Sequence, residues 1–185
     1  MYHIKEDKRS RNSLKLILQA FDKCLEVHPF TEMTITELCY ESTVSRATFY
    51  RLFDRLEDII TYKCELLADE FSESVTGCTL HEIQLKFFTK WMDNIALLKL
   101  IEDLHKTEII YNCHKKHLKQ IKTTTQFVGL SNKLTDYHFA ILTSTLVTSL
   151  IIWCNHGCKE TANELVASIN TALTDIAFVF DNKKS

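Results

Sequence analysis

The chain has 185 residues, of which 45% are hydrophobic and 25% charged, and its formal net charge is −2. This balance is typical of a soluble globular protein, and it is not the charge of a protein that coats nucleic acid with its whole surface. Three glycines and one proline are few for a turn-rich β fold, and no segment alternates with period two. We therefore predict an all-α protein.

The first predicted helix covers residues 10–28 and stops at Pro29. It is amphipathic, because its apolar side chains recur every three or four residues. Thr34 and Glu37 have capping-box spacing at the start of a second helix, and Ser45 is expected to cap a short third helix. Two short helices joined by a tight polar turn have the pattern of a helix-turn-helix.

The sequence pattern from residue 56 onward predicts longer helices. Their expected ranges are 56–74, 80–94, 96–104, 106–128, 134–156 and 160–181, which gives about nine helices in total. Thr79 with Glu82, and Thr161 with Glu164, have capping-box spacing, and Gly157 is expected to end a helix in a left-handed conformation. The change from short to long helices predicts a DNA-binding domain at 1–55 and a regulatory and dimerisation domain at 56–185.

The outward face of the third helix carries side chains suited to DNA. Val44, Phe49 and Phe53 are expected to pack inward on the second helix. The other positions supply arginines for guanine or phosphate, small residues for thymine methyl groups, and a tyrosine hydroxyl for phosphate. These positions are Ser45, Arg46, Ala47, Thr48, Tyr50 and Arg51. The first fifteen residues add five cations against two anions, a basic arm on a near-neutral body.

Residues 9–62 resemble the DNA-binding domain of the TetR/AcrR family of bacterial repressors. The resemblance is strongest over 44–53, VSRATFYRLF, and extends to Met33-Thr34-Ile35 before it and Glu57-Asp58-Ile59 after it. It implies that Thr34 and Thr36 contact the DNA backbone, that Arg46, Ala47 and Thr48 face bases, and that Tyr50 binds a phosphate. It also implies a two-fold DNA operator bound by a homodimer, with repression as the family default.

Three positions depart from the family pattern. Thr43 stands where glycine is usual, so a left-handed backbone there is strained. Leu52 stands where a polar residue is frequent, and Leu56 where a lysine usually meets phosphate; Arg55 is expected to replace that charge. The full set of predicted DNA-binding residues is Thr34, Thr36, Ser45, Arg46, Ala47, Thr48, Tyr50, Arg51 and Arg55.

The last two helices predict a dimer interface. The final helix has an apolar stripe, and the helix before it is apolar nearly all round, so a second copy is expected to cover the remaining surface in a four-helix arrangement. A helix buried centrally within a monomer is the alternative. The predicted interface residues are Leu146, Leu150, Trp153, Leu165, Ile169, Leu173 and Ile176.

The resemblance further implies a pocket for a small-molecule effector in the second domain. Candidate lining residues are Phe71, Phe87, Phe88, Trp91, Ile95, Ile101, His105 and Tyr111. Their apolar character suits a hydrophobic or aromatic effector, although aromatic residues at helical spacing are more often ordinary core.

Two clusters contain potential metal ligands, Cys113-His114-x-x-His117 and Cys154-x-His156-x-Cys158. Neither supplies the four ligands of a zinc site alone, so we predict no metal and no cofactor. No phosphate-binding glycine loop, nucleophile elbow or HExxH motif is present, and the chain is not expected to be an enzyme. Seven cysteines, an odd number, are expected to be free thiols.

The chain is expected in the cytoplasm, with no membrane partner, because the first residues lack an apolar core and the longest apolar run is about ten residues. One alternative function stays open. A helix-turn-helix protein of this kind can instead respond to a protein partner, or to metal or thiol chemistry at its Cys and His residues.

Overall fold

A computed structural model of the protein describes residues 2–3, 7–117 and 132–181. These residues form nine α-helices and no β-strand, which confirms the all-α prediction. The helices are α1 Lys8–Val27, α2 Ile35–Ser42, α3 Arg46–Leu52, α4 Glu57–Ser74, α5 Leu80–Met92, α6 Ile95–Asp103, α7 Glu108–Lys116, α8 Asn132–Asn155 and α9 Ala162–Asp181. A short 3-10 helix, Phe30–Glu32, lies between α1 and α2. Of the helix predicted over 106–128, residues 118–128 lie outside the described residues, as do residues 129–131 of the predicted loop over 129–132 and Lys5 of the basic arm. Asn132, the last residue of that predicted loop, begins α8.

The chain divides into two compact units, Met1–Lys63 and Cys64–Ser185. The division lies inside α4, C-terminal to the predicted boundary between residues 55 and 56. Unit 1 therefore consists of α1, α2, α3 and the first part of α4.

The core of unit 1 forms where α1 packs on α2 and α3. The apolar stripe of α1 supplies Ile17 and Phe21, and these meet Leu38 from α2 and Phe49 from α3, all of them fully buried. Burying each such side chain contributes about 1.5–3 kcal/mol relative to leaving it in water. The two short helices are therefore held by tertiary packing, because helices of this length are marginal alone.

In unit 2, α5 packs on α6, α8 and α9, and α8 also contacts α6 and α7. The centre of this unit is aromatic: Phe87, Phe88 and Trp91 of α5 are almost completely buried. The amide side chains of Gln84 on α5 and Asn170 on α9 hydrogen-bond at 3.0 Å, which fixes the register of the two helices.

Most predicted helix ends are confirmed. Thr79 and Glu82 form a reciprocal capping box, as do Thr161 and Glu164. Gly157 follows α8 with φ 87°, a left-handed conformation.

The capping box predicted at Thr34 is only half formed. The Thr34 hydroxyl accepts from the backbone N–H of Glu37 at 3.1 Å. The Glu37 carboxylate does not return to the backbone of Thr34, because it lies 2.6 Å from Nε2 of His28 at the end of α1. This hydrogen bond raises the pKa of His28 and lowers that of Glu37.

One helical segment, Asp136–Asn155, is long and apolar enough by composition to cross a membrane, with a mean hydropathy of 1.5. The expectation that no segment reaches this length and hydropathy is therefore wrong, because scattered threonines and serines interrupt the apolar run without making it polar. A third of this segment is buried inside the protein, and core helices of soluble proteins meet the same criterion.

Candidate nucleic-acid interface

The turn between α2 and α3 depends on a left-handed residue. Thr43 has φ 56° and ψ 22°, as expected for a position where the family uses glycine. Its N–H donates to the carbonyl of Tyr40 at 3.2 Å, and the N–H of Val44 donates to that of Cys39 at 3.1 Å. This is a Schellman motif, and burial of Val44 beside Cys39 supplies its usual apolar contact.

The inner face of α3 is fixed by aromatic packing. Phe49 is fully buried, and its ring lies 5.9 Å from that of Phe53 and 5.6 Å from that of Tyr50. Leu52 is only 1% exposed. It therefore belongs to the core of unit 1, which accounts for an apolar residue at this position.

The outer face of α3 is exposed and polar. Arg46, Ala47, Tyr50 and Arg51 are all exposed, and Thr48 is half-buried. The Ser45 hydroxyl caps the helix by accepting from the N–H of Thr48 at 3.2 Å, and it also donates to the Thr48 hydroxyl at 3.0 Å. Five predicted contact residues thus lie within the two turns of one short helix.

Arg46 connects the two helices of the motif. Its guanidinium donates to the hydroxyl of Thr36 at 2.8 Å, and both side chains are exposed. The bond holds the arginine over the start of α2, and four of the five guanidinium donors remain for a bidentate partner.

Sequence reasoning missed Tyr40, which is 86% exposed on α2. It lies four residues after Thr36 and therefore on the same helix face. A phenol hydroxyl on this face has the chemistry of a phosphate donor. The signal was present in the sequence as an aromatic residue on the polar face of an amphipathic helix.

Cations surround this face. Lys8, Arg9, Arg11 and Lys15 are exposed along α1, and Arg55 is exposed after α3. The carboxylate of Asp7 caps α1 by accepting from the N–H groups of Arg9 and Ser10. The Ser10 hydrogen bonds lower the pKa of Asp7, and the charge of Arg51 lowers it further, which places the end of α3 near the basic start of α1.

The start of α4 differs from the family pattern in the expected place. Leu56 is half-buried, and Arg55 beside it is exposed. The buried carboxylate of Asp58 accepts from the backbone N–H groups of Asp54 and Arg55, each at 3.0 Å. The backbone of Arg55 is therefore fixed while its side chain stays in solvent.

The extreme N-terminus joins the same unit through a contact that was not predicted. Tyr2 and Phe53 form an isolated antiparallel bridge, and the N–H of His3 donates to the carbonyl of Leu52 at 2.8 Å. Tyr2 also stacks edge-on against Tyr62. The short segment covers the C-terminal end of α3.

No family model matches the chain, and no curated protein matches it. The chain is similar to the crystal structure of Lin0861 from Listeria innocua. The TM-score is 0.74 at 19% sequence identity, and the similarity covers 93% of this chain and 94% of that one. At this identity the similarity shows a shared fold over nearly the whole length of both chains.

In unit 2, the predicted effector residues do not all meet in one place. Phe71 lines an apolar cavity together with Phe87. Phe88, Trp91 and Ile101 are fully buried in the core, and Ile95 and Tyr111 are half-buried. His105 is exposed with φ 52°, so it forms the left-handed end of α6 and does not face the interior.

The cavity is small and contains two polar groups that sequence reasoning did not assign to it. It is lined by Phe71, Ile83, Phe87, His114, Phe139, Leu142, Thr143 and Leu146. Its volume is about 20 Å³, which is room for about one water molecule. Nε2 of His114 accepts from the indole N–H of Trp91 at 3.1 Å, so the neutral ring carries its proton on Nδ1. Burial lowers the pKa of His114 to about 3.

The predicted dimer residues divide into two groups. Leu146, Leu150, Trp153 and Ile169 are buried inside unit 2, and Leu165 is half-buried. Leu173 and Ile176 are 40% and 53% exposed. Further exposed apolar side chains are Tyr137, Ile141 and Ile152 of α8 and Phe178, Val179 and Phe180 of α9. Because α8 is apolar on all sides, its sequence could not indicate which side faces the core.

The two Cys/His clusters do not form metal sites. Cys113 hydrogen-bonds Cys64, His114 bonds Trp91, and His117 lies 2.8 Å from the carboxylate of Asp69. The ligands of the first cluster therefore point to different partners. In the described part of the chain, no group of three or more His, Cys, Asp or Glu side chains is arranged to hold a metal.

Proposed function

We propose that the protein is a DNA-binding transcription regulator of the TetR/AcrR type, which represses by binding a two-fold operator as a homodimer. The observation that carries this proposal is the exposed polar face of α3. A helix of seven residues buries Phe49 and Leu52 on one side and leaves Arg46, Ala47 and Tyr50 in solvent on the other. An exposed face of this composition suits the major groove, where arginine pairs with guanine and small residues contact thymine methyl groups.

The charge distribution supports the same function. Exposed cations lie at the start of α1 and after α3, and the carboxylate of Asp7, beside those of α1, is engaged in capping that helix. On α2, Glu41 is neutralised by Lys23 at 2.9 Å. Phosphate binding by such a surface supplies most of the affinity and makes it dependent on salt concentration.

Exposed apolar surface supports the homodimer. The last ten residues of α9 before Asp181 are all exposed, and they include Ile176, Val179 and Phe180. Helix α8 adds Ile141 and Ile152. Apolar side chains grouped on two long helices are characteristic of an oligomer interface, and a two-fold pairing of α8 and α9 gives a four-helix arrangement. Two copies then present two α3 helices to a two-fold operator.

Effector release is the third part of the proposal. The cavity beside His114 has apolar walls and a few polar groups, as effector sites usually do. With a volume of about 20 Å³ it admits no organic molecule unless Phe71, Phe139 or neighbouring side chains move. An effector that binds only the opened form shifts the population toward it, and this shift lowers DNA affinity if the opened form fits the operator poorly.

The small cavity also favours a second candidate function. A regulator of the same DNA-binding type that responds to a protein partner or to thiol chemistry needs no effector pocket. The two candidates differ in one observable property: only the first predicts an organic compound that lowers operator affinity without covalent change of the protein and in the absence of any other protein.

Selection of duplexes from a random DNA pool by the full-length protein tests the proposal. We expect enrichment of a two-fold sequence whose half-site centres lie about 10 base pairs, or a multiple of this, apart. Complex formation should weaken steeply with salt. Retention of duplexes without any enriched sequence, or no retention at low salt, would contradict the proposal.

A further inference from the structure

The C-terminal end of α8 carries two cysteines whose thiols touch. Cys154 and Cys158 are each half-buried, and their side chains hydrogen-bond one another. The thiol of Cys158 also lies 3.8 Å from the carbonyl oxygen of Cys154. The two sulfurs are therefore adjacent and within reach of a small molecule from solvent.

The backbone at the helix end brings them together. Gly157 and Cys158 are both left-handed, with φ 87° and 57°. The N–H of Cys158 donates to the carbonyl of Trp153 at 3.0 Å, and the N–H of Gly157 donates to that of Cys154 at 3.1 Å. This Schellman motif turns the chain back over the last helical turn. A disulfide here would join the last helical turn to the residue that folds back over it, with a usual Cβ separation of about 3.5–4.5 Å.

A second pair of touching thiols provides a comparison inside the same unit. Cys64 on α4 hydrogen-bonds Cys113 on α7, but these residues are 0% and 2% exposed. The hydrogen bond and burial both raise the pKa of Cys64, and a buried protonated thiol is inert. Exposure therefore separates the two pairs: only Cys154 and Cys158 are accessible.

We propose that Cys154 and Cys158 form a reversible dithiol–disulfide site that exchanges with low-molecular-weight disulfides. The thiolate of one cysteine attacks one sulfur of the small disulfide, which forms a mixed disulfide and releases one small thiolate. The thiolate of the other cysteine then attacks the protein sulfur of that mixed disulfide, which forms the intramolecular disulfide and releases the second small thiolate. Two protein thiols lose two protons and two electrons, and the small disulfide is reduced to two thiols.

Either thiol can attack first, because both are half-buried, and the other then resolves the mixed disulfide. The site requires neither DNA nor an effector, so its failure would leave the proposal of DNA binding by α3 untouched.

Oxidised glutathione, added to the native full-length protein, tests the site. After an acid quench and alkylation, peptide mass mapping should find Cys154 and Cys158 joined, with a mass lower by two hydrogens. Dithiothreitol should reverse this change. Cys78 is half-exposed and bonds only the carbonyl of Ser74, so it should form a mixed disulfide and report that the reagent was active. Cys64 and Cys113 should remain reduced.

Two serine variants complete the experiment. Cys154→Ser should accumulate a persistent glutathione adduct on Cys158, because no resolving thiol remains, whereas the native protein should not. Cys158→Ser should likewise accumulate a persistent adduct on Cys154. The proposal is overturned if Cys154 and Cys158 stay reduced while Cys78 reacts, if each carries its own glutathione, or if Cys64–Cys113 oxidises first.

Discussion

The two units expose different kinds of helix surface. In unit 1, α3 exposes arginine, alanine and tyrosine while burying Phe49 and Leu52. In unit 2, the end of α9 exposes Ile176, Val179 and Phe180. The first surface offers hydrogen-bond donors and charge, whereas the second offers apolar area. This difference fits the two proposed roles, which are DNA binding by unit 1 and dimerisation by unit 2.

Two histidines show the same contrast between the units. In unit 1, the Glu37 carboxylate raises the pKa of His28, so the pair stabilises the fold below the ordinary histidine pKa. That stabilisation is lost as the pH rises through the raised value. In unit 2, burial lowers the pKa of His114 to about 3, and the ring is held neutral against Trp91. His28 in unit 1 therefore stabilises the fold in its charged form, whereas His114 in unit 2 is held in its uncharged form.

The largest expected effect is on the apolar surface of α9. Ile176→Asp places a charge in each half of the two-fold interface, and unpaired charges in such a place cost several kcal/mol. We expect the dissociation constant of the dimer to rise more than a hundredfold, equivalent to about 3 kcal/mol. Analytical ultracentrifugation measures this. The protomer should remain folded, because Ile176 is 53% exposed within it.

Thr171→Asp is the matched control for the dimer. Thr171 is also exposed on α9 but lies away from Ile176 around the helix. Its substitution should leave the dimer intact. Equal dissociation of both variants, or of neither, would show that the apolar stripe does not form the interface.

The second effect concerns His114 and pH. Because its folded pKa of about 3 lies below the unfolded value of 6.5, the unfolded chain binds a proton that the folded chain does not. Its contribution to stability is therefore present above pH 6.5 and falls by about 1.4 kcal/mol per pH unit as the pH decreases toward 3. Urea unfolding between pH 7 and pH 4 measures the slope.

His114→Gln should reduce that slope by about one proton while keeping a side chain able to accept from Trp91. His156→Gln, at an exposed position after α8, serves as the control substitution. If the slope of the His114 variant equals that of the native protein, the ring is not held neutral in the core.

The smallest effect concerns the left-handed turn of unit 1. Thr43 has φ 56°, a conformation that costs a non-glycine residue about 1–2 kcal/mol. Thr43→Gly should raise the free energy of unfolding by about 0.5–1 kcal/mol, after allowing for the flexibility of glycine in the unfolded chain. Thr171→Gly, inside α9, should lower it by a similar amount. If urea titration shows that both variants change the free energy of unfolding in the same direction, the left-handed conformation of Thr43 is contradicted.

The sequence predicted unit 1 more completely than unit 2. The caps at Thr34 and Ser45 and the inward positions of Val44 and Phe49 predicted both short helices, because capping and packing there depend on neighbouring residues. The left-handed turn at Thr43 was expected only from the family resemblance. The sequence did not predict that Glu37 would bond His28, since that contact joins two helices and has no local signal.

In unit 2 the sequence predicted the helices, but it did not predict which side of each helix faces the core. Leu146 and Leu150 were expected at a dimer interface and are buried in the core, because α8 is apolar on every side. His114 was considered only as a metal ligand, and its contact with Trp91 depends on how α5 and α7 pack. Whether these side chains face the core depends on how the helices pack together, and the local sequence pattern does not reveal that packing.

The central claim is that the exposed face of α3 binds DNA, and the salt dependence of binding tests it most directly. Affinity for the selected operator is measured at several salt concentrations for the native protein, Arg46→Ala, Tyr50→Phe and Tyr137→Phe. Tyr137 is 71% exposed on α8 and supplies a matched tyrosine control in unit 2. Removal of a guanidinium or hydroxyl that binds DNA should weaken binding by about 1–3 kcal/mol, and loss of the Arg46 charge from a phosphate should reduce the salt slope by about one.

We predict weaker binding for Arg46→Ala and Tyr50→Phe and native binding for Tyr137→Phe. Native affinity and native salt slope in both α3 variants would contradict the account.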